Sequence, residues 1–84
     1  MTYRLEITPA AARDLASLPR DARRRVDASI LALANNPHPP GVKKLKGLYR
    51  ARVGDYRVVY SAEHARLVVL VVRIGHRREI YRGF

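Results

Sequence analysis

The chain contains no cysteine, so neither a disulfide framework nor a thiolate metal site is available to it, and a reducing cytoplasm is the compartment that suits it. Long apolar runs are missing too. The N-terminal MTYRLEITP has no apolar h-region, and no stretch approaches the ~18 residues a membrane helix needs. The five glycines are scattered rather than gathered into a phosphate-cradling loop. His38, His64 and His76 fall on different expected elements, without carboxylates at ligand spacing, so no metal site is legible and no cofactor is expected. Ser17, Ser29 and Ser61 have no nucleophile-elbow context. Acidic residues are scarce: 7 Asp+Glu face 17 Lys+Arg, for a net charge of +10.

That charge is unevenly placed. Residues 1–41 hold six Arg and four acids, net +2, whereas residues 42–84 hold eleven Lys+Arg and three acids, net +8. A domain this basic is expected to meet a polyanion, most often nucleic acid, or an acidic protein that neutralises it. At 84 residues the chain makes one domain with a modest core.

Leu48 to Tyr60, LYRARVGDYRVVY, reads as a β-hairpin. Gly54-Asp55 separates two alternating runs, and glycine at the first loop position suits a type II′ turn. The register is then fixed: Val53 opposite Tyr56, Arg52 opposite Arg57, Ala51 opposite Val58, Arg50 opposite Val59 and Tyr49 opposite Tyr60. Alternation gathers Tyr49, Ala51, Val53, Tyr56, Val58 and Tyr60 on a core face and Arg50, Arg52, Arg57 and Val59 on the other. Arg52 directly across from Arg57 is destabilising, so a partner outside the fold is expected to compensate.

From the N-terminus, Tyr3 to Thr8 alternates as a short half-buried strand. Thr8 caps a helix with Pro9 at its first position, running to about Leu18 with Ala12, Leu15 and Leu18 inward. Pro19 opens a second helix to about Asn35, its inward Ala22, Val26, Ile30 and Leu33 spaced by four, four and three. Arg23, Arg24 and Arg25 read better as solvated helix surface than as a nucleic-acid reader. The Pro-rich segment from Asn35 to Gly41 is a loop. Lys43, Lys44 and Lys46 then either extend the positive face of the hairpin or solubilise a sheet edge. Leu67 to Ile74, LVVLVVRI, is apolar enough to be the central strand. The expected class is α+β: an N-terminal strand, a two-helix hairpin and an antiparallel three-stranded meander.

The chemistry open to this set is charge stabilisation. Arg50, Arg52 and Arg57 can clamp phosphate oxygens, while His76, Arg77, Arg78 and Tyr81 approach from the end of the central strand. Such a set suits RNA, whose cleavage requires only an aligned 2′-hydroxyl, charge stabilisation and proton movement. His76 is either a proton relay or incidental. Arg73 is either a further member of the cationic face or the partner of an acid such as Glu79. Tyr81 is either functional or a capping residue at a sheet edge.

KLKG, YRARVGDYRVVY and LVVLVVRIGHRREIY, between Lys44 and Tyr81, resemble the RelE family of toxins from toxin–antitoxin modules, within the wider RelE/ParE superfamily. The resemblance implies an mRNA interferase: a small cytoplasmic endoribonuclease that enters the ribosome, cuts mRNA there and is silenced by a cognate antitoxin. It places Arg57 at the arginine that contacts the scissile phosphate, Arg77 or its neighbour Arg78 at the catalytic arginine, and Tyr81 at the tyrosine that stacks on the target nucleotide. Arg50 and Arg52 stand where well-studied relatives carry lysines, one of them proposed as general base. An arginine holds its proton far above neutral pH, so Arg52 is a poor base and a good electrostatic clamp. Lys43, Lys44, Lys46, Arg50, Arg73, His76 and Arg78 complete the candidate RNA-binding set. Two other readings share the fold, a ParE-like inhibitor of DNA gyrase and a non-catalytic RNA- or ribosome-binding relative.

Overall fold

A computed structural model describes residues 2–80. The elements are β1 (Arg4–Ile7), α1 (Pro9–Ala16), α2 (Arg20–Asn35), β2 (Lys43–Leu45), β3 (Leu48–Val53), β4 (Tyr56–Glu63) and β5 (Val68–His76). The strands form one five-stranded sheet in the order β1-β5-β4-β3-β2. Residues from α1 and α2 share a single hydrophobic core with those of β3, β4 and β5.

The β3–β4 hairpin has the register read from its alternation, from Val53 opposite Tyr56 to Tyr49 opposite Tyr60. Gly54 has φ +59° while Asp55 stays at negative φ, as a type II′ turn requires. Ala51, Val58 and Tyr60 are buried in the core, and Tyr49, Val53 and Tyr56 pack against it. Val59 lies on the opposite face and is nevertheless only 1% exposed. Its ladder partners are Arg50 on β3 and Arg73 on β5.

Four expectations are corrected. Lys43–Leu45 is a strand, not merely a lead-in: Lys46 and Gly47 both have positive φ, 49° and 81°, forming the tight turn that folds β2 antiparallel onto β3. The sheet is not wholly antiparallel, because β1 runs parallel to β5. The middle strand is β4 rather than β5, which has β1 and β4 as neighbours. In α1, Ala11 rather than Ala12 is buried, since the helix phase that turns Leu15 inward points Ala12 to solvent. In α2 the expected stripe holds, with Val26, Ile30 and Leu33 buried and Ala22 half-buried.

β1 covers β5 only from Val68 to Val71, and α1 closes the edge beyond Val71. The Thr8 hydroxyl donates to the Val72 carbonyl at 2.8 Å and accepts from the Ala11 N–H at 3.1 Å, so one side chain caps the helix and the strand edge together. Asp14 accepts from the Ile74 N–H at 3.0 Å and from the Arg73 Nε at 2.8 Å. Backbone groups that would lie open at the edge are satisfied by two helix side chains.

Candidate nucleic-acid interface

Cations from three elements meet at the Gly54-Asp55 turn. From β4, an Arg57 terminal nitrogen donates to the Gly54 carbonyl at 3.1 Å and to the Tyr56 carbonyl at 3.0 Å. From α2, the Arg25 guanidinium lies 3.1 to 3.5 Å from where a Cβ on residue 54 would sit. After β5, the Arg77 N–H donates to the Asp55 carbonyl at 2.8 Å, and its Nε is 3.9 Å from the Asp55 carboxylate. That ion pair is about half exposed on the arginine side and more so on the acid, so screening leaves it weak. The turn therefore holds Arg57 and Arg77 through backbone contacts, and their charge remains available. Arg52, exposed and directly opposite Arg57, adds a fourth guanidinium.

Beside this cluster lies a groove of about 830 Å³. Lys43, Arg50, Arg52 and Arg57 line it together with Leu33 of α2 and Pro39 of the following loop. Pairing of β2 with β3 stops at Arg50, so the groove runs along the part of β3 beyond that edge strand. Among the lysines, Lys43 lines the groove, Lys44 pairs with Tyr49 and Lys46 occupies the β2–β3 turn. Lys44 and Lys46 are exposed away from the turn at Gly54.

The chain beyond β5 folds into a short turn. The Glu79 and Ile80 N–H groups donate to the His76 carbonyl at 2.9 and 3.0 Å, and buried Ile80 packs against Gly75, where a Cβ would come within 3.1 Å of Ile80 Cδ1. This close approach aims Arg77 at the hairpin turn. Arg78 is exposed, and its N–H donates to His76 Nδ1 at 3.2 Å, which leaves the imidazole proton of a neutral His76 on Nε2. Tyr81 lies outside the described residues.

Arg73 is held by Asp14, not by Glu79. Burial pushes the Asp14 carboxyl up, but hydrogen bonds from Arg73 and the Ile74 N–H, with the charges of Arg73 and Arg13, outweigh it and hold the pKa below its usual value. The same hydrogen bond and charge raise the Arg73 pKa. Arg73 is thereby tied to α1 by an ion pair near the end of β5.

The profile of the ParE toxin of type II toxin–antitoxin systems, parDE, matches residues 5–81. The chain is 42% identical over 84 residues to Toxin RelE of Mycobacterium tuberculosis, covering 95% of this chain and 87% of that protein. It belongs to the RelE/ParE family of type II toxins. Toxin RelG of the same organism is 34% identical over 98% of this chain and 99% of its own length. Among solved structures, the archaeal RelE–RelB complex from Pyrococcus horikoshii superposes with a TM-score of 0.84 at 37% identity, covering 94% of this chain and 99% of that one.

Within this RelE/ParE fold, two placements escaped the sequence. Arg25 sits at the turn because α2 crosses β3 and β4 there, whereas the Arg23-Arg24-Arg25 run alone reads as solvated surface. His38 and His64, 26 residues apart, face one another at 3.1 Å between Nε2 atoms. Neither contact has a local signal in the chain.

Proposed function

We propose that this RelE/ParE-family protein is a toxin that cleaves mRNA on the ribosome. The carrying observation is the convergence of Arg57, Arg77 and Arg52 on one hairpin turn, with Arg25 alongside. In the proposed reaction a 2′-oxygen attacks the neighbouring phosphorus and loses its proton, the bond from phosphorus to the 5′-oxygen breaks, and a cyclic phosphate and a 5′-hydroxyl result. Arg57 and Arg77 bind the non-bridging oxygens, and negative charge growing on phosphorus is stabilised by the Arg57 guanidinium, which the turn carbonyls hold, and by that of Arg77, whose backbone the turn anchors. Arg52 serves as a clamp rather than a base, so solvent or the RNA itself takes the 2′-hydroxyl proton, and solvent returns a proton to the departing 5′-oxygen. Arg77, tied to the hairpin turn, takes the catalytic position in preference to Arg78. Tyr81 stacks on the target base, and Lys43 and Arg50 guide the strand along the groove. The reaction as written calls for no metal or cofactor.

The similar Pyrococcus structure is a toxin–antitoxin complex, and a cognate antitoxin is the expected partner of this chain. Among the described residues no helix is long and apolar enough to cross a membrane.

Primer extension on a translated message, with and without ribosomes, tests the reading. Ribosome-dependent cuts that disappear in Arg57→Ala and Arg77→Ala, with circular dichroism unchanged, are expected. No cuts from the folded wild-type protein would overturn it. The match to the ParE profile favours inhibition of DNA gyrase as the second reading. Loss of supercoiling by purified gyrase at low toxin concentration would then replace the first.

A further inference from the structure

His38 and His64 come from the proline loop after α2 and the β4–β5 turn, and both are exposed. Their Nε2 atoms are 3.1 Å apart, their ring centroids 5.0 Å apart and their planes 39° apart. Each ring has its own support. The His38 N–H donates to the Asn36 side-chain oxygen at 3.0 Å, and the ring rests edge-on against Tyr49 at 4.9 Å. Pro37, the residue before it, accepts a 2.6 Å hydrogen bond from the buried Tyr60 hydroxyl. On the other side, His64 Nδ1 is 2.6 Å from the Tyr3 hydroxyl oxygen, and the Tyr3 N–H donates to the Ala34 carbonyl at 2.7 Å.

We propose that His38 and His64 form a two-imidazole binding site for a late first-row divalent cation of the zinc class. Rings in a linear N–H···N bond at this separation would hold their centroids about 5.4 Å apart, whereas rings converging on an ion about 2.05 Å from each nitrogen would hold them about 4.8 Å apart. The observed 5.0 Å falls between the two, so the two rings, hydrogen-bonded to each other, already converge enough for small rotations to admit an ion. Tyr3 supplies the orienting contact that metal-binding imidazoles share: with its oxygen accepting from Nδ1–H, the His64 Nε2 lone pair is left for the ion. Glu63, the adjoining acid, is engaged by Arg66 at 3.4 Å. Among the described residues there is no cluster of three or more His, Cys, Asp or Glu, so water completes the coordination.

The site lies at the Tyr49–Tyr60 end of the hairpin, about 13 Å along the strands from the arginine turn, and takes no part in phosphate chemistry. Its effect is mechanical. The ion would clip the proline loop, whose Pro39 and Pro40 wall the basic groove, to the β4–β5 turn.

Titration of the tag-free protein with Zn²⁺, in competition with a chromophoric chelator, tests the proposal. One ion per chain is expected, with a rise in Tm and with the ¹⁵N resonances of both Nε2 atoms moving in the imidazole spectrum. His38→Gln and His64→Gln should each weaken binding at least tenfold, and Tyr3→Phe by about tenfold through loss of the orienting contact. Mg²⁺ should cause none of these changes. Equal Zn²⁺ affinity in the wild type and the His38→Gln/His64→Gln double variant, or no stoichiometric binding to the wild type, would overturn it. Because His64 is an exposed turn residue, His64→Gln alone decides the question if the loop variant unfolds.

Discussion

Arg52 and Arg57 stand directly opposite each other on neighbouring strands, in a pairing that the fold alone would not choose. Arg57 turns its guanidinium to the Gly54 and Tyr56 carbonyls, which moderates the repulsion without removing it. Arg52→Glu is therefore expected to stabilise the free protein by about 0.2–1 kcal/mol while impairing the proposed RNA cleavage. Urea unfolding with parallel primer extension measures both, and a variant that loses stability would show that the pair is not under strain. Tyr60 offers a second test at this scale. Burial, with a smaller contribution from Tyr49, raises its phenol pKa from 10.0 to about 12. The folded state thus holds this proton more tightly than the unfolded state, so the associated stability is complete below pH ~10 and is lost as pH rises toward 12. Tyr60→Phe should remove that alkaline loss. It should also cost about 1–3 kcal/mol at neutral pH, by depriving the Pro37 carbonyl of its donor. Tyrosinate absorbance against pH, alongside denaturant melts, reads both effects.

Elements set by neighbouring residues were legible in the sequence, and those set by distant partners were not. The alternation on both sides of Gly54-Asp55 carries the β3–β4 register, because strand period and turn type are local properties. The spacing of Val26, Ile30 and Leu33 likewise carries the buried face of α2. The parallel β1–β5 pairing joins Arg4 to Val68 and has no local signature. The same holds for Asp14, whose contacts with Arg73 and Ile74 span 59 and 60 residues. That carboxylate decides whether the end of β5 is closed. Asp14→Ala is expected to destabilise by about 1–3 kcal/mol, since it strands the Ile74 N–H and the Arg73 charge together. The acid limb gives its sign: with the folded pKa below 3.8, the stability Asp14 contributes is present above pH ~4 and is lost as pH falls through the folded value. A shallower acid transition in Asp14→Asn, followed by circular dichroism, checks this.

For the whole molecule, a net charge of +10 ensures attraction to any polyanion and so says little about where the proposed RNA substrate would sit. Salt dependence separates the two. Long-range attraction from dispersed arginines such as Arg23 and Arg24 accelerates encounter and is screened beyond about 8–10 Å at ordinary ionic strength. A guanidinium seated on a phosphate releases a counterion, and each such contact with a single strand adds about −0.7 to the slope of log K against log salt. If Arg52, Arg57 and Arg77 each hold one phosphate, the slope for a short RNA contains about −2 from the hairpin turn, and Arg57→Ala should make it shallower by about 0.7. Arg23→Ala, equal in charge removed but placed on the exposed face of α2, should slow association and leave the slope nearly unchanged. Fluorescence anisotropy over a salt series distinguishes them. Equal slope changes in the two variants would mean that RNA is held by overall charge, and the hairpin turn would lose its claim to be the site.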